Sequence, residues 1–281
     1  MTKEELRQLK LAAAHIRKGV VTGTHAAKCG HPGGSLSAAD MFAYLYCREL
    51  RVDPKDPRKP ERDRFVLSKG HTAPGLYAAL AERGFIPAEE LTTLRRIGSR
   101  LQGHPNMNET PGVDMSTGSL GQGVSCAAGM ALAAKYRGMD CRVYTLLGDG
   151  EIEEGQVWEA MMFAHHYKLD NLCVIVDNND LQIDGRIGDV IDPYPIVDKF
   201  KAFGLHVEAI NGHDFEQIEA AFAAAKATKG VPTAIVMKTT KGKGVSYMED
   251  QAGWHGKAPN DAEFEQAIAE LDAQIREVEA M

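Results

Sequence analysis

The sequence predicts an α/β fold, a doubly wound and mainly parallel sheet flanked by helices, from three observations. From Cys141 onward, short β-rich runs alternate with helical stretches, the pattern that builds βαβ units. Before Cys141 the apolar residues recur mostly at helical spacing. A chain of 281 residues with 44% apolar content can bury a large core, and no linker interrupts it, so residues 1–281 are expected to form a single domain.

In order along the chain, helical periodicity runs from about Lys3 to Lys28, through LSAADMFAYLYCREL after Ser35, around Tyr77, around Leu91, and from Leu120 to Tyr136. Loops rich in Gly, Pro and charge separate these segments, DPKDPRKPERDR near Asp53 and GHPNMNETPGVDMSTG near His104. The second half reads RVYTLLGDG, a helix after Glu154, LCVIVDNN, a helix after Pro193, LHVEAI, a helix capped by Asp214, and TAIVMKTT. Phe264, Ile268, Leu271, Ile275 and Val278 then form an amphipathic helix behind an Asn260 or Asp261 cap.

The net charge of −7, with both signs interspersed, gives no basic stripe and argues against a nucleic-acid partner. The N-terminal MTKEELRQLKLAAAHIRKG lacks the apolar core of a signal peptide, and no segment approaches a bilayer span; a soluble, cytoplasmic protein without a membrane partner is expected. Cys29, Cys47, Cys126, Cys141 and Cys173 show no CxxC spacing and read as small buried apolar residues.

Two neighbouring strand ends carry the chemistry. In LLGDGEIEEG, Asp149 stands between Gly148 and Gly150, which let backbone approach a ligand while the carboxylate supplies a hard oxygen. In VIVDNNDLQIDG, Asn178 and Asn179 follow a buried strand and Leu181 offers a carbonyl two residues on. A carboxylate, an amide oxygen and a carbonyl are an incomplete shell for a magnesium-like ion, which diphosphate oxygens and water would complete.

This GDG to NN pairing resembles the thiamine diphosphate fingerprint. The whole chain is similar to the N-terminal, diphosphate-binding domain of transketolases, with CGHPGGSLS, LSKGHTAPGLYA, GSRLQGHPNMNETPGVDMSTGSLGQG, GDGEIEEGQVWEA, VDNNDLQIDG, TTKGKGVSYMED and WHGKAP in the family's order. The resemblance implies the thiamine diphosphate-binding fold, with Asp149, Asn179 and the Leu181 carbonyl as ligands of Mg2+, or of another divalent cation such as Ca2+ or Mn2+. It places Gly148 and the Gly150 amide at the diphosphate, Gly118 and Leu120 at the aminopyrimidine, and Asp177 and Ile183 beside the thiazolium. Glu154 is carried over as a cofactor-site residue, and Glu154 and Glu159 match acidic residues at a subunit interface; their alternative reading is acidic stabilisation of a helix N-terminus.

His31, His71, His104 and His255 each adjoin glycine in loops, where a histidine is poorly placed as core filling. By resemblance, His71 and His255 lie near the diphosphate and the reacting hydroxyls, His31 at the carbon where the bond breaks, and His104 at the donor's terminal hydroxyl. Carbon–carbon cleavage between hydroxylated sugars needs proton movement near neutral pH, which imidazoles provide. His15, His25, His165, His166, His206 and His213 lack such context. Arg95, Arg100, Lys241 and Lys243 read as solvated surface charge and are not placed in the site.

In the transketolase family a glutamate that activates the cofactor comes from a pyrimidine-binding domain, which the resemblance does not extend to here. The expectation is a split transketolase. This chain binds thiamine diphosphate and, with a C-terminal partner subunit in an α2β2 assembly, transfers a two-carbon ketol unit between sugar phosphates in carbohydrate metabolism, as in the pentose phosphate pathway. The start Met1 and the completed terminal helix favour a natural subunit over a truncated one. Alternatives are a subunit of a deoxyxylulose phosphate synthase or of a 2-oxo acid dehydrogenase, or a non-catalytic paralogue.

Overall fold

Thr2 and Glu5 close a capping box at the start of the chain: Thr2 Oγ1 accepts from the Glu5 amide at 3.2 Å, and the Glu5 carboxylate accepts from the Thr2 amide at 2.6 Å. They open helix α1 (Lys3–Ala27), whose buried stripe includes Leu9, Ile16, Val20 and Val21. Gly19 lets α1 lie close to its neighbours, since a Cβ there would stand 2.9 Å from Leu91 Cδ1 and 3.0 Å from the Ala78 methyl. The computed structural model describes residues 1–281. α2 (Pro32–Ser37) and α3 (Ala39–Tyr44) follow, the latter running into a single π turn over Leu45–Glu49. This stretch is not one continuous helix, because Ala38 leaves helical geometry at φ −88 and ψ 1, and Ser37 there donates to Asp177 at 2.6 Å.

Next come β1 (Arg64–Leu67), α4 (Ala73–Arg83), α5 (Gln122–Tyr136), β2 (Val143–Gly148), α6 (Gly155–His166) and β3 (Leu172–Asn178). The helix expected around Leu91 is instead a 3₁₀ segment, Ala88–Thr93. Thr92 and Thr93 donate their hydroxyls back to the carbonyls of Glu89 and Glu90 at 2.8 and 2.7 Å, a local bonding that competes with an α-helix. A small antiparallel pair, β4 (Leu181–Gln182) and β5 (Gly185–Arg186), is followed by α7 (Ile187–Val190), α8 (Ile196–Ala202), β6 (His206–Asn211), α9 (Phe215–Ala227), β7 (Thr233–Lys238) and α10 (Asp261–Glu279). Asp214 caps α9 and Asn260 caps α10.

The five long strands form one parallel sheet in the order β1-β2-β3-β7-β6. Alternate residues point to opposite faces, as strand geometry requires. Phe65, Leu67, Tyr144, Leu146, Cys173, Ile175, Ile235 and Met237 meet the face packed by α1 to α4, α9 and α10. Val66, Val143, Leu147, Val174, Val176, Ala234 and Val236 meet the face packed by α5, α6 and α8. A sheet covered on both faces explains the near-continuous apolar runs, and each fully buried Leu, Ile or Phe is worth about 1.5–3 kcal/mol.

After β3 the chain crosses to the far edge, forms β6, and returns through β7 to lie beside β3. The carboxyl ends of β1, β2, β3 and β7 thereby sit side by side at the point where strand order reverses, the place where open α/β sheets bind ligands. Ser68, Asp149, Asn179 and Thr239 follow those four ends. All five cysteines are free; Cys141 and Cys173 are buried, Cys29 and Cys126 half-buried, and Cys47 is exposed, contrary to the uniformly buried reading.

Candidate active site

Loops at these strand ends enclose a cleft of about 260 Å³. Its lining includes His31, Gly118, Leu120, Gly148, Asp149, Gly150, Asn179, Leu181, Ile183 and His255, with His71 beside Lys69 and Lys241. Gly70 permits the close packing of two of the loops, since a Cβ there would stand 2.7 Å from the Gly118 nitrogen. Gly121 turns the second loop with φ 78, a left-handed value that favours glycine.

Asp149 is buried and hydrogen-bonded to its own neighbourhood. Its Oδ1 accepts from the Gly150 amide at 3.0 Å, and its Oδ2 accepts from Asn178 Nδ2 at 3.1 Å and the Asp180 amide at 2.6 Å. Burial, with repulsion from Asp177 second, pushes its carboxyl up to about 6, the signature of a carboxylate short of positive charge. Asn179 Oδ1 accepts from the Leu181 amide at 3.2 Å, and Leu181 lends its carbonyl to Lys241 Nζ at 3.0 Å. A carboxylate, an amide oxygen and a carbonyl on one cleft wall are the hard donor set a divalent cation takes. A Cβ at Gly148 would meet nothing nearer than Lys69 Cδ at 3.7 Å, so glycine leaves room there for a ligand on the backbone. These features fit a diphosphate and its cation.

Three histidines meet at the mouth. The ring centroids of His31 and His71 are 5.2 Å apart, those of His31 and His255 5.3 Å, and those of His71 and His255 5.2 Å. Burial is the main cause that holds all three below their ordinary range, with Arg95 adding to it at His31, which falls to about 4. His71 lies well below, with Lys69 second, and His255 falls to about 3, with Lys241 second. All three are therefore neutral at pH 7. Nδ1 of His31 is buried with no hydrogen-bond partner, an uncompensated polar atom of the kind a polar ligand satisfies.

Asp177 and Lys241 depart from expectation. Asp177 is wholly buried and does not line the cleft; its carboxylate receives Lys69 Nζ, Ser37 Oγ, Asn179 Nδ2 and Thr239 Oγ1, so it supports the site from beneath. Burial raises its carboxyl, but Lys69, Ser37 and Thr239 together outweigh that and leave it lowered. Glu154 is exposed at the start of α6, where it caps without a side-chain bond, and lies outside the cleft lining. His104 is exposed at the outer edge, packed against Gly118, where a Cβ would stand 3.0 Å from its Cδ2. Lys241 is not surface charge: it is 2% exposed, and burial lowers its ammonium to about 8. Glu159 is exposed on α6. Arg100 pairs with Glu90 and Lys243 with Glu249, as surface charges do.

Two further residues escaped the sequence reading. Lys69 is buried against Asp177. Glu151 accepts from Ser68 Oγ at 2.5 Å, the Gly121 amide at 2.9 Å and the Gly148 amide at 3.0 Å, tying three cleft loops together. The signal for Lys69 was its place beside His71 at a strand end; for Glu151 it was adjacency to the GDG turn.

The family described as "Transketolase, thiamine diphosphate binding domain" matches residues 9–276. A 6-deoxy-6-sulfo-D-fructose transketolase subunit of Clostridium sp. (strain MSTE9) is 45% identical over 271 residues, covering 96% of this chain and 98% of its own. An apulose-4-phosphate transketolase subunit of Phocaeicola vulgatus is 42% identical over 275 residues, covering 98% of each chain. Among solved structures, transketolase from Campylobacter jejuni superposes with TM-score 0.87 at 31% identity, over 99% of this chain and 46% of that one. The chain thus spans about half the length of the solved transketolases it matches, with 46% covered for the Leishmania mexicana enzyme as well.

Proposed function

The chain belongs to the transketolase family, as its thiamine diphosphate binding domain, and on that premise we propose that it is the N-terminal subunit of a split transketolase. With a C-terminal partner subunit it transfers a two-carbon ketol unit from a ketose to an aldose. The observation that carries this reading is the convergence of Asp149, Asn179 and Leu181 with His31, His71 and His255 on one cleft at the strand ends. The transketolase match over residues 9–276 favours this over the deoxyxylulose phosphate synthase and 2-oxo acid dehydrogenase readings.

When bound, thiamine diphosphate supplies the electron sink for breaking a carbon–carbon bond beside a carbonyl. Asp149, Asn179 and the Leu181 carbonyl would hold Mg2+, while the Gly150 amide, Lys241, His71 and His255 would face the diphosphate. His31 and His71, neutral and at the mouth, would take and return protons of the sugar hydroxyls, with His104 at the outer end. Arg95, which lowers both His31 and His104, adds a positive charge for an anionic sugar. Both subunit relatives are named for anionic ketoses, a sulfonate and a phosphate, so an anionic ketose donor is the substrate class proposed here.

A partner is favoured by the cleft's own carboxyl groups. Asp149 and Glu151 are its only two; Asp149 is assigned to the cation and Glu151 already accepts from Ser68, Gly121 and Gly148, so neither is placed to activate the aminopyrimidine. Exposed apolar side chains, Met162 and Phe163 on α6, Tyr167 just after it, and Ile183 in the cleft lining, offer a surface for the partner in an α2β2 assembly. A cytoplasmic site of action is part of the proposal; no helix is long and apolar enough to cross a membrane. Cofactor-dependent ketol transfer by the chain mixed with its partner tests the reading, and its absence in the reconstituted, cofactor-loaded complex would reject it.

A further inference from the structure

The turn that carries Lys241 is held by several hydrogen bonds, among them the Asp250 amide donating to the Lys241 carbonyl at 2.9 Å. Thr239 Oγ1 donates to Asp177, the Gly242 amide donates to the Gly33 carbonyl at 2.9 Å, and between them the Thr240 amide donates to Nε2 of His213 at 2.9 Å. Because Nε2 of His213 accepts, its Nδ1 carries the hydrogen and donates to Asp40 Oδ2 at 2.7 Å. Asp40, on α3, is 5% exposed and also receives Arg17 Nη2 at 2.5 Å. Burial raises the Asp40 carboxyl, but Arg17 and His213 outweigh it and hold it at about 2, so Asp40 stays charged and fixes the imidazole tautomer. The other charge facing His213 is Glu249, which is itself held by Lys243 at 3.1 Å.

None of Arg17, Asp40 and His213 lines the cleft. The chain of contacts nevertheless ends one residue short of Lys241, whose Nζ reaches Leu181 and His255 inside it. We propose that His213, oriented by Asp40 and Arg17, is a positioning residue that sets Lys241 against the cofactor's diphosphate. The Thr239 and Gly242 bonds anchor the ends of the turn. The His213 bond fixes the Thr239–Thr240 peptide, one residue before Lys241, and through it the course of the backbone into that residue. A part-buried amide deprived of its acceptor will turn toward water or another carbonyl, and the ammonium moves with it. The inference rests on the reading that Lys241 contacts the diphosphate.

Two substitutions separate the halves of the imidazole. His213→Asn keeps a donor near the Nδ1 position for Asp40 but removes the acceptor for Thr240, whereas His213→Gln restores an oxygen near the Nε2 position. In the complex with the partner subunit, thiamine diphosphate affinity at saturating Mg2+ is measured by calorimetry, with KM for the cofactor, kcat and thermal midpoint followed separately. ¹⁵N shifts of His213 report its tautomer. The expected result is an Nδ1–H tautomer, an affinity loss of about 10-fold or more for His213→Asn carried by KM rather than kcat, and recovery in His213→Gln. In a Lys241→Met background, His213→Asn is expected to add no further loss, because both act through one contact. Wild-type affinity in His213→Asn, or full additivity with Lys241→Met, would overturn the proposal. Should His213→Asn lose its fold, His213→Gln decides: near wild-type affinity supports the proposal, and a loss as large as that of Lys241→Met overturns it. Failure of the wild-type complex to bind thiamine diphosphate would instead overturn the reading of the cleft, and the proposal with it.

Discussion

Lys241 Nζ donates to Nδ1 of His255 across 2.9 Å, which leaves the hydrogen of that imidazole on Nε2 and makes the ring a donor toward the cleft. One lysine thus supplies charge for a diphosphate and sets a histidine tautomer. Lys241→Met is expected to weaken thiamine diphosphate binding by about 10–100-fold. Calorimetric titration of the complex with its partner checks this, with circular dichroism as the folding control. Unchanged affinity would return Lys241 to a structural role.

Asp149→Ala and Asn179→Ala are each expected to abolish cofactor retention at ordinary Mg2+ concentrations without unfolding the chain. Even groups one step removed from a metal commonly contribute about 10–100-fold in affinity or activity. Titration with Mg2+ and thiamine diphosphate reads the effect directly. A folded variant with wild-type affinity would remove the cation from this wall of the cleft.

The parts of this site legible in the sequence are those punctuated by glycine. Asp149 between Gly148 and Gly150, and the histidines beside Gly30, Gly70, Gly103 and Gly256, stand out because side chains in such loops have no core to fill. Lys241 and Lys69 did not stand out, since a lysine in a Gly-rich loop looks like solvated charge. Their burial depends on Asp177 and Leu181, at and after the end of β3, and on His255, later in the connection that follows β7. Asp177 misled in the opposite sense: the family resemblance placed it beside the thiazolium, but strand alternation turns it inward. β1 was missed because RFVL is short and follows a highly charged loop, and the Leu91 segment because periodicity alone does not tell a 3₁₀ turn from an α-helix.

His31, His71 and His255 make the fold sensitive to acid in a stated direction. Each has a native pKa below the ordinary 6.5, so between that value and the native one the unfolded chain binds more protons. Their share of stability is complete above 6.5 and is lost as pH falls through about 4 for His31 and about 3 for His255. Thermal melts between pH 7 and 4.5 are therefore expected to fall less steeply for His255→Asn than for the wild type. The raised carboxyl of Asp149 acts with the opposite sign but is common to both proteins, so it drops out of the comparison. Parallel curves would mean that His255 titrates normally.

The histidines should also differ in turnover. His31→Ala and His71→Ala are expected to lower ketol transfer by about 10²–10⁴-fold, the range of positioned general acid–base groups. His104→Ala, at the exposed edge, is expected to act more on the KM of the donor. Steady-state kinetics with an anionic ketose and an aldose phosphate separate the two effects. Near-normal kcat in both His31→Ala and His71→Ala would mark the cluster as structural.

The central claim is that this chain holds half of an active site whose other half comes from a partner. It is tested most directly by assaying ketol transfer with the purified chain alone, saturated with Mg2+ and thiamine diphosphate, and then with the partner subunit titrated in. The account predicts no transfer by the chain alone and activity that rises in proportion to complex formed, because of the cleft's two carboxyl groups Asp149 is assigned to the cation and Glu151 is already bonded by Ser68, Gly121 and Gly148. Transfer by the chain alone at the rate of the complex would contradict it.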